Sequence, residues 1–368
     1  MTASRPMSVA FRVDASHDFG TGHVMRCLTL ADALSANGTR CEFICREHTG
    51  NMIDHIRNKS YAVHSLPVGK DADTDLAHSP WLGATQAQDA QTCAPIMAKL
   101  QPDWLVVDHY AQDARWETSL RPYVRHLMVI DDLADRPHGC DFLLDQNFYK
   151  EMTSRYLGLV PAACEMLLGA AYVLLRPEFM GTLPRARQRD GSIRRILVFF
   201  GGSDPTNQTK NVLVALGMLN LRDIAVDVVI GSSNPHRLQL QDLIRYLPNV
   251  ALHCQVSNMA ELIARADLGI GAGGIAMWER CYLGLSTITV VFADNQVRTT
   301  EDVAGLGAIK YLGVCNSFTD YEYKEAIKEM IDSPGEVRRM AEISQGLVFP
   351  GTQRVADVME SIYRTSSW

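Results

Sequence analysis

One repeated order constrains this chain more than any other feature. A short, almost wholly apolar run is followed by a turn, often glycine-bearing, and then by a helical stretch. Residues 9–13 (VAFRV) read as a strand, 20–22 (GTG) as the turn and 24–36 as the helix. Runs of the same kind recur at 41–45, 104–108 (WLVVD), 126–131 (HLMVID) and 142–145. Strands that are apolar on both faces are covered on both faces, which predicts a parallel sheet wrapped by helices. Residues 181–192 (GTLPRARQRDGS) interrupt the order with basic, Pro- and Gly-bearing linker composition. The order then restarts with strands at 195–200 (RILVFF), 226–230, 250–254, 268–271 and 287–291. Helices are predicted from about Thr209, over 260–266 and from about Ala276.

The expected fold is α/β, with two doubly wound, Rossmann-like domains facing across a cleft. A length of 368 residues suits two cores. The predicted boundaries are 1–180 for the first domain, 181–192 for the linker and 193–350 for the second domain. Residues 351–368 hold a last helix, expected to pack back on the first domain. The polar segment 67–91, with Asp71, Asp73 and Asp75, reads as a solvated surface excursion rather than a metal site.

A net charge of −7 leaves no basic surplus for a nucleic acid backbone. No stretch is long and apolar enough for a membrane span, and the N-terminal apolar run is too short for a signal peptide. The nine cysteines show no C-x-x-C spacing and are expected to be reduced, in a cytosolic protein.

Glycines at strand ends carry the first chemical argument. Gly201 and Gly202, followed by Ser203 in GGSDP, let backbone N–H groups approach an anion. Gly273 and Gly274 open a helix whose free N–H groups and dipole favour a diphosphate. Glu279, about one turn into that helix, is placed to accept hydrogen bonds from ribose hydroxyls. Either turn alone is also an ordinary strand–helix connection; two in one domain favour a nucleotide. Neither carries G-x-x-x-x-G-K-S/T, which disfavours a P-loop NTPase.

In the first half, Gly20, Thr21 and Gly22 form the turn, and His23 falls in the first turn of the helix. A helix N-terminus disfavours imidazolium, and a neutral imidazole is what a general base requires. Asp14, at the strand end, is placed to hold the other ring nitrogen, and Arg26, one turn on, to meet phosphate or carboxylate. His17, in the same loop, is the alternative base, though a solvated loop histidine is its simpler role. Asp108, His109 and Tyr110 end another strand and are placed to read sugar hydroxyls or acetamido groups. Asp131 and Asp132 end a further strand, where capping is commoner than metal binding.

A lone base suits one class of substrate. A sugar joined to a simple alcohol needs an acid as well, so glycosidases use two carboxyl groups. A nucleoside diphosphate leaves as an anion, its terminal phosphate having a second pKa of roughly 6. One base and a phosphate cradle then suffice, and a single displacement by water inverts the anomeric centre.

Five segments together resemble a known family: GTGHVMRCLTLADAL, VVDHY, GGSDPTN, GAGGIAMWERCYLGL and FADNQ. Their order and spacing are similar to the UDP-2,4-diacetamido-2,4,6-trideoxy-β-L-altropyranose hydrolases of pseudaminic acid biosynthesis. These in turn resemble the bacterial peptidoglycan glycosyltransferase that uses UDP-N-acetylglucosamine, with its glycosyltransferase-B fold. The resemblance implies that His23 is the catalytic base, that Tyr110 lies near the sugar and that Asn295 faces the active site from the second domain. Asp14, Gly20, Gly22 and Arg26 join them as expected substrate contacts. It further implies that the nucleotide contacts Gly201, Gly202, Ser203, Gly273 and Gly274, with Glu279 on the ribose. Uracil is expected against backbone between Val256 and Met259. The implied partners are a UDP-sugar and water, with no metal, no cofactor and no stable membrane association. A glycosyltransferase of the same fold and a non-catalytic nucleotide-sugar binding module are the rival readings.

Overall fold

The apolar runs become the strands of two separate parallel sheets. The computed structural model describes residues 5–182, 189–232, 234–315 and 317–365. The first sheet holds β1 (Ser8–Val13), β2 (Arg40–Arg46), β3 (Ala62–Leu66), β4 (Trp104–Asp108), β5 (His126–Ile130), β6 (Phe142–Asp145) and β7 (Glu165–Leu168). Their spatial order is β3-β2-β1-β4-β5-β6-β7, with every neighbouring pair parallel. The second sheet holds β8 (Arg195–Phe199), β9 (Ala225–Ile230), β10 (Val250–Cys254), β11 (Leu268–Ala272), β12 (Ser286–Val291) and β13 (Lys310–Val314). Its order is β10-β9-β8-β11-β12-β13, again all parallel.

The chain divides into two compact units. One comprises Met1–Asn147, Glu151–Leu174 and Pro350–Trp368; the other comprises Phe148–Lys150 and Leu175–Phe349. The second unit therefore begins ahead of the linker predicted over 181–192, and includes the helix Pro177–Thr182. Residues 183–188 of that linker lie outside the described residues.

Side-chain alternation sorts the first sheet into two layers. Val9, Phe11 and Val13 of β1 share a core with Trp104 and Val106 of β4 and with Val24, Cys27 and Leu28 of the helix Gly22–Ala36. Ala10 of β1 and Leu105 and Val107 of β4 point the other way, toward Cys93 and Met97 of the helix Gln86–Leu100. The last helix, Gly351–Thr365, sends Val355, Ala356 and Met359 into the first of these cores. Burying a side chain the size of Val or Met stabilises by about 1.5–3 kcal/mol, so this helix is a structural part of the first unit.

In each sheet the strand order reverses once, between β1 and β4 and between β8 and β11. Connections leave in opposite directions at that point and open a crevice beyond the strand ends, where open α/β sheets bind ligands. The turn bearing Gly20–His23 follows β1, and Asp108–Tyr110 end or follow β4. GGSDP follows β8, and GAGG ends β11. No helix among the described residues is long and apolar enough to cross a membrane.

Candidate active site

Val13 and Asp108 are in register across β1 and β4, so Asp108 projects to the same face as Val13, toward the helix Gly22–Ala36. His23 is the second residue of that helix. Its Nδ1 lies 2.6 Å from Asp108 Oδ1. Arg26, one turn on, donates to the same carboxylate from Nε and Nη2, each at 2.6 Å, and from Nη1 to Asp132 Oδ2 at 3.1 Å. The Tyr110 hydroxyl donates to the other oxygen of Asp132, and its ring stands edge-on to His23 with centroids 4.6 Å apart.

This arrangement settles the tautomer of His23. Burial raises the Asp108 carboxyl, but the Arg26 guanidinium and His23 outweigh burial and hold it well below the usual carboxylate range. An ionised carboxylate only accepts hydrogen bonds. In the neutral ring His23 Nδ1 is therefore the donor and Nε2 the acceptor. Arg26 Nη2 also lies 3.2 Å from Nδ1. The shorter bond to Asp108 Oδ1 is where that N–H is spent, and the contact with Nδ1 follows from sharing one oxygen. The His23 side chain remains 12% exposed, so the ring is reachable from solvent. Burial and then Asp132 push the Tyr110 phenol well up, which keeps it a neutral donor.

Asp14 does not hold His23, contrary to the sequence expectation. It is one residue beyond Val13 and so points to the opposite face of the sheet. There its Oδ1 pairs with Arg12 Nη1 at 2.7 Å and accepts from the Arg46 backbone N–H at 2.6 Å. Its Oδ2 lies 3.3 Å from His109 Nε2. Arg12 also makes a two-bond fork with buried Asp89, which Arg46 joins from the neighbouring strand. Gly20, at φ +77°, and Gly22 have open space where a Cβ would sit. The His17 ring lies against Gly50, and its backbone N–H donates to Thr49 O at 3.1 Å.

The segment 67–91 is more ordered than its composition suggests. Asp73 accepts the backbone N–H of Gln86, the first residue of the helix Gln86–Leu100, at 2.7 Å. Asp71 accepts from the Gln88 side chain at 2.8 Å, and Asp75 pairs with Arg115 at 2.7 Å. Gly69 N–H donates to Gly83 O at 2.7 Å and closes the segment at its base. A single 3₁₀ turn, Ser79–Leu82, brings Trp81 and the preceding His78 beside Tyr110. A tryptophan and a histidine flanking Ser-Pro in a polar stretch were the available signal.

In the second unit, Gly201 sits at φ +92°, and a Cβ at Gly201 or Gly202 would meet nothing within 4 Å. Ser203 is exposed beside them. Asp204 fixes the loop, accepting from the backbone N–H groups of Gln208 and Thr209 at 2.9 Å each. Gly274, at φ +73°, is the N-cap of the helix Ile275–Tyr282, and the Gln296 side chain lies over Gly273 and Gly274. Sequence reasoning missed Gln296. Its neighbour Asn295, half-buried, shares the 3₁₀ turn Asp294–Gln296 after β12. Glu279 is buried, and its Oε1 accepts from Arg176 Nε at 3.2 Å and Nη2 at 3.0 Å. Burial raises this carboxyl despite Arg176. Met259 and Glu279 line one recess with Ala276, and half-buried Val256 precedes the helix Met259–Arg265. Among the described residues, no cluster of three or more His, Cys, Asp or Glu has the placement to hold a metal ion.

Two doubly wound parallel units define a protein of the two-domain glycosyltransferase-B class. Residues 196–345 match the glycosyltransferase family 28 C-terminal domain. The chain is similar to the UDP-2,4-diacetamido-2,4,6-trideoxy-β-L-altropyranose hydrolase of Campylobacter jejuni, at 27% identity over 303 residues, covering 82% of this chain and 97% of that one. In structure it is similar to MurG of Acinetobacter baumannii, with a TM-score of 0.67 and 17% identity over 97% of this chain and 100% of that one. UDP-GlcNAc 2-epimerase from Neisseria meningitidis, bound to UDP-GlcNAc, follows with a TM-score of 0.64 and 11% identity, covering 98% and 100%. At these identities the two solved structures speak to the fold alone.

Proposed function

We propose that the protein cleaves a UDP-linked sugar with water at the anomeric carbon, releasing UDP and the free sugar. The observation that carries this reading is the His23–Asp108 pair at the switch point of the first sheet, an oriented imidazole whose second nitrogen is left an acceptor. His23 Nε2 takes a proton from water as the water oxygen bonds to the anomeric carbon. The bond from that carbon to the β-phosphate oxygen breaks, and its electron pair leaves with UDP. Asp108 steadies the imidazolium so formed. Each turnover is one displacement and inverts the anomeric centre.

The work is divided between the units. The first supplies the base, with Arg26 and Tyr110 around it. The second holds the nucleotide: Gly201, Gly202, Ser203, Gly273 and Gly274 offer backbone N–H groups to the diphosphate. Glu279 takes the ribose, the stretch from Val256 to Met259 the uracil, and Asn295 a sugar substituent. The C. jejuni relative's name supports a 2,4-diacetamido-2,4,6-trideoxyhexose as the sugar, which would enter pseudaminic acid synthesis. The match of residues 196–345 to a glycosyltransferase domain favours a second reading, in which the same base deprotonates an acceptor hydroxyl.

Incubation with that UDP-sugar in ¹⁸O-water tests both. The expected result is label in the free sugar, none in UDP, and an inverted anomer in the first NMR spectra. His23→Ala should lower kcat by roughly 10²- to 10⁴-fold while UDP still binds. UDP release that requires an added sugar or lipid acceptor would transfer the assignment to the second reading.

A further inference from the structure

Four rings form a continuous chain that leads to His23. Phe19, from the loop after β1, stacks on Trp81 with centroids 5.0 Å apart and planes 20° from parallel. Trp81 meets His78 at 4.4 Å, His78 meets Tyr110 at 5.2 Å, and Tyr110 meets His23 at 4.6 Å. Two of the four, His78 and Trp81, come from the segment 67–91, which none of the sequence motifs includes.

That segment does not need these rings as anchors. Leu82, 1% exposed, and Ser79, 2% exposed, already pin the 3₁₀ turn into the unit. The Asp71, Asp73, Asp75 and Gly69 bonds tie down its remainder. Phe19, His78 and Trp81 each stay half-buried. Burial also pushes the His78 imidazole down, with Arg136 and His23 adding to the effect against Asp135, so it is neutral at pH 7. The result is a mostly apolar ring surface, with Arg136 and Asp135 at its margin, adjoining the polar His23–Arg26–Asp108–Asp132 group. A surface of that kind favours C–H faces and methyl groups, whereas a hydroxyl buried there without a hydrogen-bond partner is disfavoured.

We propose that the segment 67–91 is a specificity element, and that Trp81 and His78 form the wall against which the apolar substituents of the sugar pack. The class of ligand selected is an N-acylated 6-deoxyhexose carried on UDP, with the wall discriminating against a 6-hydroxyl. This rests on the UDP-sugar reading above and adds the residues that choose the sugar. Trp81 and His78 are positioning residues in this scheme and take no part in proton transfer.

The test compares UDP-2,4-diacetamido-2,4,6-trideoxyhexose with its 6-hydroxy counterpart, in the wild type and in Trp81→Ala, Trp81→Phe and His78→Ala variants. The wild type should prefer the 6-deoxy sugar in kcat/KM. Trp81→Ala should lower that preference at least fivefold, mainly through KM, with kcat within threefold and UDP affinity unchanged. Trp81→Phe should restore most of the preference, which a merely structural role would not predict. The same ratio is read as dissociation constants in a His23→Ala background, so the outcome does not depend on turnover. An unchanged ratio in Trp81→Ala, or binding of neither sugar nucleotide to the His23→Ala protein, overturns the wall. Absence of hydrolysis by the wild type, with the binding ratio still shifted by Trp81→Ala, would overturn the hydrolase reading and leave the wall standing.

Discussion

Replacing Asp108 by Asn changes one oxygen to an NH₂ group and leaves the side chain's shape intact. Asp108 Oδ1 accepts from His23 Nδ1 and Arg26 Nη2, and Oδ2 accepts from Arg26 Nε and, at 3.5 Å, from the Cys27 thiol. An asparagine cannot serve all four donors. With NH₂ at the Oδ1 position, it donates to His23 Nδ1 and moves the ring proton to Nε2, where the lone pair is needed. With NH₂ at the Oδ2 position, it opposes the Arg26 Nε–H and a buried guanidinium loses half its fork. In the serine-protease template, the wrong tautomer alone costs about 10⁴ in kcat. The expected loss for Asp108→Asn is therefore ~10³- to 10⁴-fold. Breaking a buried pair costs roughly 3–5 kcal/mol. Asp132 still meets Arg26 at 3.1 Å, which argues for the lower end of that range. About 3 kcal/mol corresponds to about 6–12 °C of Tm in a unit this size. UDP release is followed by anion-exchange chromatography at 25 °C, alongside thermal unfolding and UDP titration. UDP affinity should hold, because the proposed nucleotide contacts belong to the second unit. Asp14→Asn is the contrast: it should lower stability and spare most of kcat. A folded Asp108→Asn enzyme within tenfold of wild-type kcat would refute the assignment of the tautomer.

Gly202→Ala should fold normally, since its Cβ meets nothing within 4 Å, yet bind UDP at least tenfold more weakly because the methyl group occupies the phosphate's approach. Calorimetric titration with UDP checks this, and unchanged affinity would remove GGSDP from the nucleotide site. Gly271→Ala should destabilise the second unit by several kcal/mol or abolish its folding, because a Cβ would lie 2.1 Å from Phe199 O; denaturant unfolding reads the loss. EDTA should leave UDP release intact, since the acidic side chains of 67–91 are already engaged by Gln86, Gln88 and Arg115; restoration by Mg²⁺ after chelation would count against this. In the first unit, Asp14, Asp89, Asp108 and Asp131 all have lowered carboxyls, despite burial, through buried arginine and histidine partners. Unfolded chains take up those protons at about pH 4 and the folded unit only at lower pH, so stability falls as pH drops below about 4. Glu279 of the second unit is shifted upward and has the opposite sign, as does Asp145 of the first, pushed up to about 8 by burial and Asp132; the four lowered groups outnumber it there. Hydrogen exchange at pH 3 should open β1 and β4 before β8 and β11, and the reverse order would refute the ledger of charges.

The sequence by itself determined the fold class, both glycine turns, the helix-start placement of His23 and the strand-end placement of Asp108 and Tyr110. The physical reason is local. A strand covered on both faces is dominated by apolar and β-branched residues, as the fully buried β1, β4 and β12 show, and a strand-to-helix turn needs its glycines wherever the backbone turns tightly. The same rule explains what was missed. β3, β7 and β13 are edge strands with mostly half-exposed positions, so no apolar run announces them. Tertiary structure alone decided which carboxylate serves His23. Asp14 is nine residues away and Asp108 eighty-five, yet one step along a pleat turns Asp14 to the far face while the β1–β4 register carries Asp108 to the near one. It also decided that an aperiodic acidic segment brings Trp81 and His78 against Tyr110, the ring that meets His23. That placement comes from the closure at Gly69 and Gly83 and from the caps on the helix Gln86–Leu100, contacts that no local periodicity encodes.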